Sequence, residues 1–255
     1  MHNSNTNKKI LLSKKVKQRI KKLPFSAIKL INFEKELVLY CNPKAACTTA
    51  VSWWFKTLGI YESASNHHEW IHKYRENIYE KIISGANTKK FHEVILVRNP
   101  YTRIVSSYNH AMKHQKLYKL FPKKNKTTFL DFVNWLYLNP KKTRLSNPHW
   151  KSQLEGRKSS SFSDIIKLEN ISSDINTLND KYNLNTPFES ISSKHHTIRE
   201  KSTKKYFNVL INNISSVDFK KVPTNEQFYN QEIYEKVSEI YKNDINELGY
   251  TFTFN

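Results

Sequence analysis

The chain has 255 residues, 38% of them hydrophobic and 25% charged, which excludes a disordered composition and fits one globular domain with a sizeable core. Lysine and arginine outnumber aspartate and glutamate by 42 to 22, and the net charge of +20 indicates either an anionic partner or a solvated basic surface. The two cysteines, Cys41 and Cys47, are too few for the disulfide framework of a small secreted domain.

Residues 1–24 are predicted to be a basic N-terminal extension, followed by a single domain over residues 25–255. Residues 8–22 are basic and amphipathic, a pattern that fits contact with an anionic membrane surface or glycan as well as a plain surface helix. The sequence has neither a long apolar run nor the apolar region of a signal peptide. We therefore expect a cytoplasmic protein that touches a membrane only peripherally, through residues 8–22.

A strand, a short loop and a helix are predicted in succession between residues 37 and 59. Leu37–Cys41 is a short apolar run, typical of a buried strand, and Asn42-Pro43 ends it. From Ala46 onward the apolar residues have helical spacing, and Gly59 closes the helix.

The mouth of this helix combines Lys44 with Thr48 and Thr49. The first N–H groups of a helix lack internal partners and the helix dipole favours negative charge there, so the loop has the physical plan of a phosphate-binding loop. It is not a Walker A sequence, because the chain has only four glycines and no G-x-x-x-x-G-K-[ST] motif. This stretch alone leaves open an ordinary strand-to-helix turn with a solvated lysine.

A second unit of the same kind is predicted at residues 91–108. Residues 91–98 have the pattern of another buried strand, and Asn99-Pro100 breaks it, with Pro100 suited to the first position of the next helix. Arg98 leaves the strand at its C-terminal end, and Arg103 and Ser106 follow within about two helical turns. Because open α/β sheets bind ligands at this edge, we predict a second anion site beside the first.

Further elements are predicted downstream. Residues 129–137 have helical spacing, and residues 165–168 indicate a third buried strand with a helix after it. Residues 226–248 have helical periodicity, which Gly249 stops.

Two motifs carry a resemblance to the carbohydrate sulfotransferase family, which includes the chondroitin 4-O-sulfotransferases and, more distantly, the heparan sulfate 2-O-sulfotransferases. They are Pro43-Lys44-Ala45-Ala46-Cys47-Thr48 and residues 97–108, VRNPYTRIVSSY. Pro148-His149-Trp150, residues 166–169 and residues 240–250 continue the resemblance in the right order. It covers roughly residues 36–250, and the ordered set of motifs makes it specific.

The resemblance implies an α/β fold of three layers, in which helices flank a central, mostly parallel sheet with a phosphate loop like that of the nucleoside-triphosphate hydrolases. It implies 3′-phosphoadenosine-5′-phosphosulfate (PAPS) as cosubstrate, with no metal. The 5′-phosphosulfate is expected at the first loop, and the 3′-phosphate at Arg98 and Ser106. Lys194 and Arg199 lie in a region that folds back over the nucleotide in relatives. The residues expected at the first loop are Pro43, Lys44, Ala45, Ala46, Cys47, Thr48 and Thr49.

The reaction that the resemblance implies is transfer of a sulfuryl group to a hydroxyl group of a carbohydrate or glycolipid. Lys44 is expected to stabilise charge on the leaving oxygen. A histidine suits the base, because its reference pKa is ~6.5. We favour His68 or His67 for this role, with His149 as a rival or as an orienter of the substrate.

Two other classes of protein are compatible with parts of the sequence. A small-molecule kinase is expected to carry a glycine-rich loop and an aspartate at a strand end for magnesium, and the sequence has neither at these motifs. A non-enzymatic nucleic-acid-binding protein explains the charge but leaves the pairing of Lys44 with Arg98 and Ser106 unexplained. We therefore expect a nucleotide cosubstrate and an anionic saccharide or glycolipid as partners, and no nucleic acid.

Overall fold

The computed structural model describes residues 27–67, 70–114, 117, 120–121, 123, 126–140, 147–188, 198–200, 204–210 and 221–254. The predicted extension, the domain boundary at residue 24 and the basic segment 8–22 lie outside these ranges. Within them, no helix has the length and apolar character needed to cross a membrane.

A four-stranded sheet forms the centre of the fold, in the order β1-β2-β3-β4. The edge strand β1 runs antiparallel to β2, whereas β2, β3 and β4 are mutually parallel. All five residues of β2 are buried, as expected of a strand with neighbours on both sides. The strands are β1 (Ile28–Asn32), β2 (Leu37–Cys41), β3 (His92–Val97) and β4 (Asp164–Lys167).

Helices connect and cover the strands. Each parallel strand is followed by a helix, since parallel neighbours need a crossover connection between them. The helices are α1 (Cys47–Thr57), α2 (Tyr61–Ser65), α3 (Ile71–Tyr74) with a π-helical turn (Arg75–Tyr79) and α4 (Glu80–Ile82), α5 (Pro100–Lys113), α6 (Phe129–Leu138), α7 (Ile171–Tyr182), α8 (Gln231–Ile240) and α9 (Lys242–Leu248). The predicted α/β fold with a mostly parallel sheet flanked by helices is confirmed.

The core divides into two hydrophobic clusters. The first joins the sheet to α1, whose Trp53, Trp54 and Phe55 are fully buried. The second lies among α5, α6 and α8, around the buried Trp150. Helix α5 therefore begins at the edge of the sheet and anchors its length in the second cluster, which fixes the side chains of its first turns.

Four details differ from the sequence-based prediction, the first of which is that the edge strand β1 was not predicted. Leu168 belongs to a 3₁₀ turn (Leu168–Asn170) after β4 rather than to the strand. The helical pattern of residues 226–248 divides into a 3₁₀ turn (Asn225–Phe228), α8 and α9, because the Asn230 side chain caps α8 and Tyr241 leaves helical geometry. A separate parallel pair, β5 (Ile198–Glu200) and β6 (Lys221–Pro223), was not predicted.

Candidate active site

The loop between β2 and α1 has an unusual backbone. Lys44 and Ala46 have φ values of 68° and 57°, in the left-handed region where a non-glycine residue costs about 1–2 kcal/mol. Two contacts hold the turn, a bond from the Ala45 amide to the Asn42 carbonyl oxygen (3.1 Å) and one from Asn42 Nδ2 to the Leu96 carbonyl oxygen (3.2 Å). Backbones that alternate left- and right-handed residues turn successive N–H groups toward one side and form concave anion sites.

The N-terminus of α1 opens into this loop. Ala46 occupies the N-cap position, and among the described residues no side chain caps the helix and no acid lies in its first turn. The positive end of the helix dipole is therefore not compensated from within this part of the chain. Burial raises the pKa of the Cys47 thiol, which donates a hydrogen bond to the Asn42 carbonyl oxygen (2.9 Å). Cys47 is thus a neutral residue that secures the loop.

Lys44 is half-buried at the centre of the loop. Burial lowers the pKa of its ammonium group, and the positive charges of Arg98, Lys113 and Arg103 lower it further. Within the part of the chain that the structure describes, no hydrogen bond or ion pair reaches its Nζ atom. A half-buried ammonium group in a field of like charge is stabilised by an anion.

Arg98 connects the second loop to the first. Its Nη1 atom donates to the Lys44 carbonyl oxygen (3.1 Å), and its Nε atom donates to Thr102 Oγ1 (2.9 Å). Ser106 is half-buried one helical turn beyond Thr102 on the same face of α5, where residues four apart are neighbours. The predicted Arg98–Ser106 pair therefore lies along one side of α5, beside the first loop.

Arg103 occupies a different place from the one predicted. It is only 2% exposed, and it donates from Nε to the Pro43 carbonyl oxygen (3.0 Å), from Nη2 to that of Pro148 (2.9 Å) and from Nη1 to that of Lys151 (2.7 Å). Each of its three nitrogen atoms thus donates to a backbone carbonyl oxygen. One guanidinium group thereby holds the Lys44 loop against the turn that carries His149.

A rigid polar frame supports Arg98 from behind. Gln153 accepts from the Arg98 amide and donates to the Arg98 carbonyl oxygen, both over 2.8 Å. Asp244 of α9 is fully buried and accepts from Ser152 Oγ (2.6 Å) and from the Gln153 amide (2.7 Å). Burial raises the pKa of the Asp244 carboxyl group, and these hydrogen bonds oppose that rise. The C-terminal helix therefore fixes the end of β3.

His149 lies beside the two loops. Its Nδ1 atom is 2.8 Å from Asn147 Oδ1, and its ring stacks on that of His110 with centroids 4.3 Å apart. Burial, followed by the charges of Lys44 and Arg103, lowers the pKa of His149 to about 4. The same kind of environment lowers the pKa of His110 to about 3. Both rings are therefore neutral at pH 7.

Among the other described histidines, His72 contacts the first turn of α1. Its Nε2 atom is 3.1 Å from Thr48 Oγ1, and burial followed by the charge of Arg75 lowers its pKa to about 4. His67 packs edge-on against Tyr74, with ring centroids 5.9 Å apart. His68 lies outside the described residues. The assignment of the base to His67 or His68 stays a prediction; the sequence did not favour His72, because the intervening turn decides which ring reaches Thr48.

Trp70 forms that intervening turn. Its φ and ψ values of 81° and 157° belong to a region that is essentially restricted to glycine, yet its side chain is 56% exposed. The indole ring lies edge-on to His72, with centroids 4.5 Å apart. An exposed aromatic ring is thereby held beside the residue that contacts Thr48.

Lys194 lies outside the described residues, and for Arg199 only the backbone, in β5, is described. Among the described residues, no group of three or more histidine, cysteine, aspartate or glutamate side chains has the arrangement of a metal site.

Comparison with known protein families gives a match over most of the chain. The model of a family described as the sulfotransferase family matches residues 29–251, a range that contains β2, β3 and both of their loops. No curated protein and no solved structure gives a match.

Proposed function

Because the chain belongs to the sulfotransferase family, we propose that it transfers a sulfuryl group from PAPS to a hydroxyl group of a carbohydrate or glycolipid acceptor. One observation carries the proposal. The half-buried ammonium group of Lys44, which has no ion-pair partner among the described residues, lies at the uncapped N-terminus of α1, and Arg98 contacts the same loop. This arrangement suits a ligand with more than one anionic group.

The two loops provide separate roles for the two ends of such a nucleotide. Lys44, the first amides of α1 and the hydroxyl groups of Thr48 and Thr49 suit the 5′-phosphosulfate. Arg98 and Ser106 suit the 3′-phosphate, since a guanidinium group and a hydroxyl group are both hydrogen-bond donors. The direct contact of Arg98 with the Lys44 carbonyl oxygen makes the two subsites neighbours, as one nucleotide requires.

In the proposed reaction the acceptor oxygen attacks sulfur in line with the bridging oxygen of the phosphosulfate. A bond forms between sulfur and the acceptor, the bond from sulfur to the bridging oxygen breaks, and the released nucleotide is 3′-phosphoadenosine-5′-phosphate (PAP). Lys44 stabilises the negative charge that develops on the bridging oxygen. A histidine takes the proton of the acceptor hydroxyl group.

Among the described histidines, the geometry supports His149 best as the base. Its ring is neutral, is oriented by Asn147 and is tied to the Lys44 loop through Arg103. His67 and His68 remain the candidates from sequence. Substitution of each by alanine tests the assignment: loss of the base is expected to lower turnover ~10²–10⁴-fold while PAP affinity stays close to that of the wild type.

A saccharide acceptor is supported by the net charge of +20 and by the exposed Trp70 ring beside His72. A basic surface favours acidic glycans, and a flat aromatic ring offers an apolar face to a sugar ring. Cytoplasmic location, and membrane contact through residues 8–22, are further parts of the proposal.

The decisive experiment has two arms. Calorimetry compares PAP, ATP with magnesium, and oligonucleotides as ligands, and we expect preferential binding of PAP. Preferential binding of ATP with magnesium would indicate a kinase. Preferential binding of oligonucleotides would indicate a nucleic-acid-binding protein. Incubation with radiolabelled PAPS and a cell extract then identifies the molecule that becomes labelled. Absence of both PAP binding and label transfer by the folded protein contradicts the proposed function.

A further inference from the structure

The side chain of Asn147 contacts His149 twice through one atom. Asn147 Oδ1 lies 2.9 Å from the backbone nitrogen of His149 and 2.8 Å from its Nδ1 atom. A backbone N–H group can only donate, so the Asn147 atom that it meets is the carbonyl oxygen rather than the amide nitrogen. That oxygen can only accept, so Nδ1 of a neutral His149 carries the ring proton. The lone pair of the imidazole is therefore on Nε2.

The position of the ring is also constrained. His110 stacks on it with an angle of 19° between the rings, and Ser107 Oγ donates to the His149 carbonyl oxygen (2.5 Å). The preceding carbonyl oxygen, that of Pro148, accepts from Arg103 (2.9 Å). Among the described residues, the Nε2 atom of this fixed ring has no hydrogen-bond partner.

The charges around His149 explain why an asparagine is suited to this position. Lys44 of the phosphate loop and Arg103 of α5 are positive, and neither the stacked His110 of α5 nor His114, which follows α5, adds negative charge. An aspartate in place of Asn147 would also hold Nδ1–H, but its charge would favour the imidazolium form, which cannot accept a proton. The neutral amide orients the ring and leaves it basic and unprotonated.

We propose that Asn147 is a positioning residue that holds His149 as the Nδ1–H tautomer and so presents Nε2 to the acceptor hydroxyl group. The proton of that hydroxyl group moves to Nε2 as its oxygen bonds to sulfur, and the electron pair of the breaking bond stays on the bridging oxygen of PAP. The catalytic part of this inference rests on the proposed function; the tautomer does not.

The tautomer can be measured without any substrate, by long-range ¹H–¹⁵N correlation of the histidine side chains, with His149→Gln used to assign the signal. We expect a protonated Nδ1 and an unprotonated Nε2 in the wild-type protein. In Asn147→Ala we expect a mixture of tautomers. Turnover should fall at least tenfold, which is a smaller loss than the ~10²–10⁴-fold expected when the whole base is removed. Asn147→Asp should keep the tautomer, raise the pKa of His149 and move the acidic limb of the rate profile to higher pH.

The matched control is Asn139→Ala, which removes an asparagine side chain whose Nδ2 atom donates to the Trp135 carbonyl oxygen at the end of α6. It should change neither the tautomer nor the pH profile. A wild-type His149 protonated on Nε2, or an Asn147→Ala protein with unchanged tautomer and pH profile, overturns the proposal. Failure of the wild-type protein to transfer sulfuryl groups contradicts the proposed function instead, whatever the tautomer.

Discussion

The guanidinium group of Arg98 donates a hydrogen bond to the main-chain carbonyl oxygen of Lys44 over 3.1 Å, although the two residues are 54 positions apart in the chain. The contact follows from the topology, because β2 and β3 are parallel neighbours and their C-terminal ends lie at the same edge of the sheet. The two loops are therefore in contact, and in the proposed function they bind one nucleotide. Their contributions can be separated by substitution, since the contact uses the backbone of Lys44 and leaves its ammonium group available.

Arg98→Ala should weaken PAP binding. In the proposed site the guanidinium group offers charge-assisted hydrogen bonds to the 3′-phosphate, and loss of one such bond costs ~1.5–3 kcal/mol, roughly ten- to over a hundredfold in affinity. Calorimetry with PAP measures the effect. Circular dichroism checks that the Arg98→Ala protein still folds without the loop contacts of Arg98. Lys236→Ala, which removes a cation that pairs with Glu232 on α8, is the control. Unchanged PAP affinity in a folded Arg98→Ala protein removes Arg98 from the site.

Lys44→Ala should lower turnover more than nucleotide affinity. Negative charge develops on the bridging oxygen as its bond to sulfur breaks, and removal of one preorganised donor typically costs ~10²–10³-fold in rate. Lys44→Arg should restore little, because a planar fork does not replace a compact ammonium group in a turn with left-handed backbone. Lys56→Ala, in the last turn of the same helix, serves as the control. A rate within about twofold of wild type for both Lys44 variants would remove Lys44 from the proposed transfer reaction.

The sequence predicted the elements that carry this site because their signals are local. Adjacent residues specify the apolar run of β2, the Asn42-Pro43 break and the start of α5 at Pro100. Each of these features lies within one residue of the position predicted from the sequence. The edge strand β1 was missed, since its short pattern acquires meaning only through pairing with β2. Long-range pairing of this kind leaves no local signal.

Side-chain roles were harder to predict than elements. From the sequence, Arg103 has the charge and the place near Arg98 expected of a ligand-binding arginine. In the structure, however, it donates to three backbone carbonyl oxygens from two separate loops. His72 rather than His67 reaches Thr48 because Trp70 adopts a conformation that sequence preferences disfavour. Both outcomes depend on the tertiary arrangement of loops, which neither periodicity nor motif spacing specifies.

Trp70→Ala should raise the acceptor KM by about 2- to 12-fold, the range expected from the ~0.5–1.5 kcal/mol of one aromatic stacking contact. PAP affinity should remain at the wild-type value, because the ring lies beyond His72 from the phosphate loop. The measurement uses the saccharide that becomes labelled in the transfer experiment. Phe33→Ala, which removes a ring that is 53% exposed on the connection between β1 and β2, is the matched control. Equal acceptor KM values for wild type and Trp70→Ala would remove the ring from the acceptor site.

The free energy of unfolding should fall as the pH is lowered from about 6.5 toward 4. The folded-state pKa values of His72 and His149 are about 4 and that of His110 is about 3, all below the ~6.5 of an unfolded histidine. Between these values the unfolded state binds more protons, so stability rises with pH and is fully present above about pH 6.5. Thermal melts across this range measure the slope, and His110→Gln should reduce it. An identical slope in that variant contradicts the assignment.

The pH dependence of the rate tests the same histidines in the working enzyme. With His149 as base, the acidic limb of kcat/KM should report the pKa of the free protein, near 4, rather than the 6.5 of an ordinary histidine. The acidic limb of kcat should lie at higher pH, because bound PAPS places negative charge beside Lys44 and offsets one cause of the lowered pKa. Rates from pH 3.5 to 8, corrected for the loss of folded protein, separate the two limbs. If instead both limbs coincide near 6.5, His149 is not the base and the assignment returns to the candidates from sequence, His67 and His68.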